Sequence, residues 1–208
     1  YTKADQSAFP ATKQEIQSLL LPKPHAAESQ LSSSRVDYFY FINKKSQGLV
    51  DIHGNTIIPL TANQAILPPS DNMLRLAKVE KKQIAKAYYD LDAEVMVRIS
   101  SSEKGKFGAF SHNLAPVSLD DELFFIDKKG NKVIGGLSKA FLSNEGYRVV
   151  QKGSAFGAID STGAVVIPIE YTNSLTSVNN GRLGVQKNAS WFYVDMKGQI
   201  VSDKYDRI

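Results

Sequence analysis

The three histidines, His25, His53 and His112, stand too far apart in the chain to form a local catalytic or metal-binding motif. A Ser-His-Asp relay can be assembled on paper from Ser100, Ser101 or Ser102 with His112 and Asp120. No G-x-S-x-G elbow supports it, and relays are defined by geometry, so a hydrolase rests on scattered residues alone. His53 lies inside a D-x-x-G turn and His112 beside Asn113, so both read as exposed turn residues. Asp120-Asp121-Glu122 is the densest acidic run. Paired carboxylates can move protons or hold a hard cation, but the D-x-D-x-D-G spacing of a calcium loop is missing. These acids read as a solvated loop ahead of a strand from Leu123 to Ile126, suited to a basic protein surface.

Lys78, Lys81, Lys82 and Lys86 form the one basic concentration, with Tyr88 and Tyr89 nearby. Nucleic acid would require a basic face with stacking rings. Lys81-Lys82 instead falls where a hairpin tip belongs, and no nucleic-acid partner is expected. Neither a G-x-x-x-x-G-K-S/T loop nor a G-x-G-x-x-G in strand-to-helix context occurs. Zero cysteines exclude disulfides, thiolate metal sites and cysteine nucleophiles. No catalytic set, metal or cofactor is therefore expected. Two aromatic runs remain. Trp191-Phe192-Tyr193 could stack on sugar, although alternation sends at least one ring inward, and Trp191 is the one assigned to the core. Tyr38-Phe39-Tyr40-Phe41 gives both faces of a strand an apolar surface. Such a strand is covered on both sides, or offers a protein-binding patch.

The elements that position these residues fall into two regions. The chain has 208 residues, a net charge of +4 of mixed sign and 42% hydrophobic residues, which suits a globular core. No apolar run is long enough for a membrane-spanning helix. Residues 1–37 are rich in Ser, Ala, Gln and Pro. Thr12 and Glu15 form a capping box, and Ile16, Leu19 and Leu20 then make one apolar stripe, so a short helix is expected. Pro22 and Pro24 end it, and residues 25–34 read as a linker.

From residue 38 to 208 the vocabulary is that of strands and hairpins. Four segments share two largely apolar residues, an Asp, and a Gly three positions later: Asp51 with Gly54, Asp127 with Gly130, Asp160 with Gly163 and Asp195 with Gly198. Asp90 begins a fifth, with Ala93 replacing the Gly. The spacings of 39, 37, 33 and 35 residues define five degenerate repeats of about 36 residues. The Asp carboxylate can accept amides two residues on, and Gly supplies the left-handed return. Strands are expected before each turn (38–42, 73–79, 147–150, 182–185) and after it (56–59, 132–134, 165–168, 200–201). Pro59 and Pro168 are expected to end their ladders. The fold class is thus all-β: repeated three-stranded antiparallel meanders in a curved sheet or barrel-like array, with one short N-terminal helix.

The stretch from Gly153 through Phe156-Gly157, Ile159-Asp160, Gly163 and Val166-Ile167-Pro168 to Tyr171 resembles the bacterial WG (KWG) repeat. The resemblance covers roughly residues 38–208 and is sharpest from 146 to 205. The aromatic-Gly pair survives in register only as Phe156-Gly157; its counterparts are Gln47-Gly48, Lys86-Ala87, Leu123-Phe124 and Trp191-Phe192. Phe107-Gly108 sits out of phase, and counting it would give six repeats. The resemblance implies β-rich modules, exported or envelope-associated, with interaction roles rather than catalysis.

The expected function is that of a non-catalytic protein-binding domain of an exported bacterial protein, most concretely an immunity-type inhibitor of a secreted toxin. Its partner would be that toxin or an envelope component, bound through Asp120, Asp121, Glu122, Tyr38 and Tyr40. The expected location is the periplasm or cell envelope after removal of a signal peptide. A cell-wall or glycan-binding module is the alternative, and a hydrolase a more distant one.

Overall fold

The computed structural model describes residues 38–80, 83–100 and 105–208. The expected N-terminal helix and linker, and the Lys81-Lys82 tip, lie outside the described residues. The chain divides into two compact units, 1–66 and 67–208.

In the first unit β1 (Tyr38–Asn43), β2 (Ser46–Asp51) and β3 (Thr56–Thr61) form one antiparallel sheet in chain order. Leu49, Val50 and Ile58 are its buried hydrophobic residues, and Gln47 Oε1 accepts the Ile66 amide at 2.6 Å. The boundary between units falls inside β4 (Gln64–Ser70), which leads a sheet with β5 (Met73–Glu80), β6 (Gln83–Asp90) and β7 (Val95–Ser100). The third sheet comprises β8 (Lys106–Phe107), β9 (Ala115–Leu119), β10 (Glu122–Ile126) and β11 (Lys132–Leu137). The fourth comprises β12 (Lys139–Asn144), β13 (Tyr147–Lys152), β14 (Ala155–Ile159) and β15 (Val165–Tyr171). The fifth comprises β16 (Asn173–Ser174), β17 (Arg182–Lys187) and β18 (Ser190–Asp195).

Among the described residues there are 18 strands, all antiparallel, and within each sheet every strand pairs with the one before or after it in sequence. The repeat unit differs from the expected three-stranded meander, because an additional strand, β4, β8, β12 or β16, precedes four of the five. The expected single curved sheet or barrel-like array is replaced by five separate sheets, none of them closed among the described residues. The ladders stop because nearly every outer strand is short, bulged or carries proline, and none of these continues a hydrogen-bonded edge. Phe107-Gly108 lies at the edge of the third sheet and founds no sixth one.

The D-x-x-G turns are built as their chemistry requires. At Asp51, Oδ1 accepts the amides of His53 and Asn55 at 2.8 and 2.7 Å, and Gly54 returns with φ 79°. Asp127, Asp160 and Asp195 repeat the arrangement, with Gly130, Gly163 and Gly198 all at positive φ. In the fifth copy Ala93 does not take this role, and Glu94 adopts φ 55° instead. Desolvation works to raise the Asp160 carboxyl, but bonds from Thr162, Ala164 and Gly163 hold it below its ordinary value. Asn131 and Lys129 do the same for Asp127.

Beyond three of these turns the ladder slips by one residue. Leu49 pairs with Ile58 but Val50 with Thr56, Phe125 with Ile134 but Ile126 with Lys132, and Ala158 with Ile167 but Ile159 with Val165. The bulged residue, Ile57, Val133 or Val166, stands six positions after its Asp each time. A second slip follows at Pro59 and Pro168, and the pairs Gln47–Thr61 and Phe156–Tyr171 lie beyond them. The prolines therefore sit in bulges rather than ending the ladder, since a bulge leaves residues unpaired and a missing N–H costs little there. Ile200-Val201 makes an isolated bridge to β18 instead of a strand.

Cores in the second unit are shared by successive sheets. Met73 and Tyr88 pack with Phe110, Val117 and Ile126; Leu114 and Phe125 pack with Val150 and Ile159; Val149 and Ile167 pack with Leu183 and Phe192. This nearest-neighbour burial is the logic of repeat proteins, in which one unit alone cannot cover its apolar face.

Candidate functional site

The strand β1 carries the aromatic run and ends its sheet. Tyr38 and Tyr40 share one face with Ile42, their rings edge-on at 6.0 Å between centroids. Phe41 lies over Gly48 of β2, where an added Cβ would stand 2.5 Å from the ring, so this glycine allows the close approach. Phe39, Tyr40 and Ile42 are 36%, 38% and 65% exposed. The ladder from Tyr38–Asp51 to Asn43–Ser46 runs without a slip. Partial burial, with Tyr38 beside it, raises the Tyr40 phenol above its ordinary value.

Every other outer strand among the described residues is interrupted. β3, β11 and β15 are bulged, as are the β6–β7 and β12–β13 ladders. β8 and β16 are two residues long, and β4 carries Pro68-Pro69. β18 is covered in part by bridges from Ile200 and Tyr205. A long, regular, apolar edge is what native sheets usually avoid, because it templates pairing with another chain. β1 is such an edge.

The acids Asp120, Asp121 and Glu122 lie in the second unit. Asp120 and Asp121 form the two-residue tip between β9 and β10, at φ 50° and 62°, a conformation Asp tolerates better than most residues. Both are exposed. Glu122 is engaged by Lys132 Nζ at 2.5 Å and the Gly136 amide at 3.0 Å. The Lys132 hydrogen bond, chiefly, holds its carboxyl below the ordinary value.

His112 occupies a hairpin tip with Asn113, as expected, at φ 49°. Its Nδ1 lies 2.9 Å from Ser143 Oγ and 3.2 Å from Ser111 Oγ. It has no hydrogen bond to Asp120. Ser101 and Ser102 lie outside the described residues, and no group of three metal-ligating side chains occurs among the described ones. Arg148 was not singled out by sequence: it is 6% exposed, donates Nη2 to the Ser111 carbonyl at 3.1 Å and covers the Phe125 ring at 4.7 Å. Burial pulls its pKa down to about 10. No spacing in the sequence marks it, since Arg148 sits at an ordinary strand position.

Lys86 donates to the Gly105 carbonyl and stands over the Phe107 ring. Tyr88 is buried with its hydroxyl donating to the Gly108 carbonyl at 2.7 Å, and Tyr89 is buried as well. Neither ring is presented for stacking. In the C-terminal triplet the core residue is Phe192, packed against Tyr171, rather than Trp191. Strand parity explains the correction, since Leu183 and Val185 of β17 pair with Val194 and Phe192 on the buried face. Trp191 and Tyr193 therefore share the other face, and the backbone of Trp191 exchanges two 2.8 Å hydrogen bonds with Tyr205.

Residues 156–191, from β14 to the start of β18, match the family described as WG containing repeat. No curated protein matches the chain in sequence. Among solved structures, a eukaryotic initiation factor is similar at 11% identity and a TM-score of 0.33, covering 82% of this chain and 63% of that one. Hsv2p of Kluyveromyces lactis is similar at 16% identity and a TM-score of 0.37, covering 80% and 62%. TolB of Acinetobacter baumannii gives 14% and 0.32, covering 74% and 47%. The chain spans less than two thirds of each of these three.

Proposed function

We propose that this protein, all-β in its described residues and matching the WG containing repeat family over residues 156–191, is a non-catalytic protein-binding domain. The observation that carries the reading is β1, among the described residues the one outer strand that is regular, free of proline and largely apolar. A partner strand added there would gain backbone hydrogen bonds, with Phe39, Tyr40 and Ile42 supplying the side-chain contacts. In its most concrete form the domain is an exported, periplasmic or envelope-associated inhibitor that neutralises a secreted toxin. The acids Asp120 and Asp121 supply a second, electrostatic contact with a basic partner.

The test is capture of partners by the immobilised full chain from an envelope and secreted-protein extract, beside an Ile42→Lys, Phe39→Lys double variant. One partner retained in near-stoichiometric amount by the parent and lost with the variant supports the reading. An empty capture, or one indifferent to β1, overturns it.

A glycan-binding module is the second reading, favoured by Trp191 and Tyr193 on one face of β18 with Tyr205 beside them. Quenching of Trp191 fluorescence by peptidoglycan fragments would select it.

A further inference from the structure

The third and fourth sheets meet over a cleft of about 310 Å³, at the small end of the range for ligand sites. Buried Leu114 and half-buried Val133 supply its apolar lining. The 160–163 turn rests directly on Val133, so close that a Cβ on Gly163 would stand 2.6 Å from it.

The polar lining is unequally committed. Asp127 already accepts the amides of Lys129 and Asn131 on Oδ1 and the Asn131 side chain on Oδ2. Lys128, in contrast, has no acid partner among the described residues, and Lys129 meets only the charge of that saturated Asp127. Asn113 and Ser161 also line the cleft, and their side chains make no hydrogen bond among the described residues.

The geometry points to a subsite for an acidic peptide, one apolar side chain entering between Leu114 and Val133 while a neighbouring carboxylate meets Lys128 and Lys129. Two lysines beside an aliphatic lining complement that pair and repel its basic counterpart. No aromatic ring lines the cleft, so a nucleobase has nothing to stack on. The volume admits one or two side chains, not a folded surface. The inference rests on the protein-binding reading but uses a surface separate from β1.

The probe is a fluorescein-labelled octapeptide of alternating leucine and glutamate, titrated with the full chain and read by anisotropy. Saturable binding is expected, weakened about tenfold or more by Lys128→Glu with Lys129→Glu. Ser161→Trp, which fills the cleft from a residue without hydrogen bonds, should weaken it as far with unchanged circular dichroism. No saturable binding, equal binding of a leucine–lysine peptide, or indifference to both variants overturns the subsite. The β1 double variant should bind the peptide normally. If it does while partner capture fails, the subsite stands and the β1 reading falls.

Discussion

Glu145 binds Gly181: its two carboxylate oxygens accept the Asn180 and Gly181 amides at 2.7 and 2.8 Å, joining the turn before β13 to the turn before β17. Two steps earlier in the chain one oxygen of Asp71 accepts the Asn113 amide at 2.5 Å. Between these two, His112 reaches Ser143. His112, Glu145 and Asn180 each stand fifteen residues before their repeat's Asp. Successive repeats are thus pinned near one equivalent turn, and at Asn180-Gly181 two backbone amides form a small anion-binding concavity.

Glu145→Ala should lower stability by about 1 kcal/mol, the low end for charged hydrogen bonds because the site is exposed. Glu145→Gln, which keeps one acceptor, should lose less. Urea unfolding midpoints give both values, and an unchanged midpoint for the alanine variant would remove the pin from the account.

Two glycines separate space from backbone strain. An added Cβ at Gly157 would meet the Ile167 and Pro168 carbonyls at 2.6 and 2.8 Å, both backbone atoms that cannot turn aside. Gly157→Ala should cost about 2–3 kcal/mol, as overpacking does. Gly153 has open space but φ +59°, so Gly153→Ala should cost about 1 kcal/mol. Equal midpoints would contradict the close approach at Phe156-Gly157.

The turn acids set the acid limit of the fold. Their folded carboxyls lie below the unfolded value near 3.8, so they favour the folded state fully above that value. The contribution is lost as pH falls through the folded value. Parent stability should drop below about pH 4, and Asp127→Asn should be weaker at neutral pH with a flatter acid limb. Urea midpoints from pH 2 to 7 measure this, and parallel curves would refute it.

Arg148 is a buried cation without a carboxylate among the described residues. Arg148→Met keeps much of the packing over Phe125 and removes the desolvation penalty, so it should change stability by no more than about 1 kcal/mol. Arg148→Ala leaves a cavity and should cost about 2–4 kcal/mol. If the methionine variant is as weak as the alanine one, the guanidinium bond to Ser111 matters more than its packing.

His112→Ala should leave partner retention as in the parent. A hydrolase built on a Ser-His-Asp relay would require this residue. Loss of a measured hydrolytic activity in this variant would favour catalysis over binding.

The turns were legible because each is local: one Asp, one Gly and the amides between them determine the geometry. Strand positions followed, and all four expected upstream strands appear, within a residue of their bounds at most positions. Bulges were not legible, since Pro59 reads as a terminator unless the pairing beyond it, Gln47 with Thr61, is known. Phe192 rather than Trp191 is buried for a related reason: which face of β18 is buried is set by β17. The aromatic run of β1 was visible as composition, but that it lies on an outer strand depends on sheet order. The cleft was invisible, because Val133 and Ser161 are brought together by packing between repeats.

Pairing only between strands consecutive in sequence has a kinetic consequence. No ladder needs a distant segment to arrive, so closing each one fixes a loop of hairpin size at small entropic cost. A chain wired in this way can assemble in the order of its synthesis, each finished meander offering an apolar face on which the next condenses.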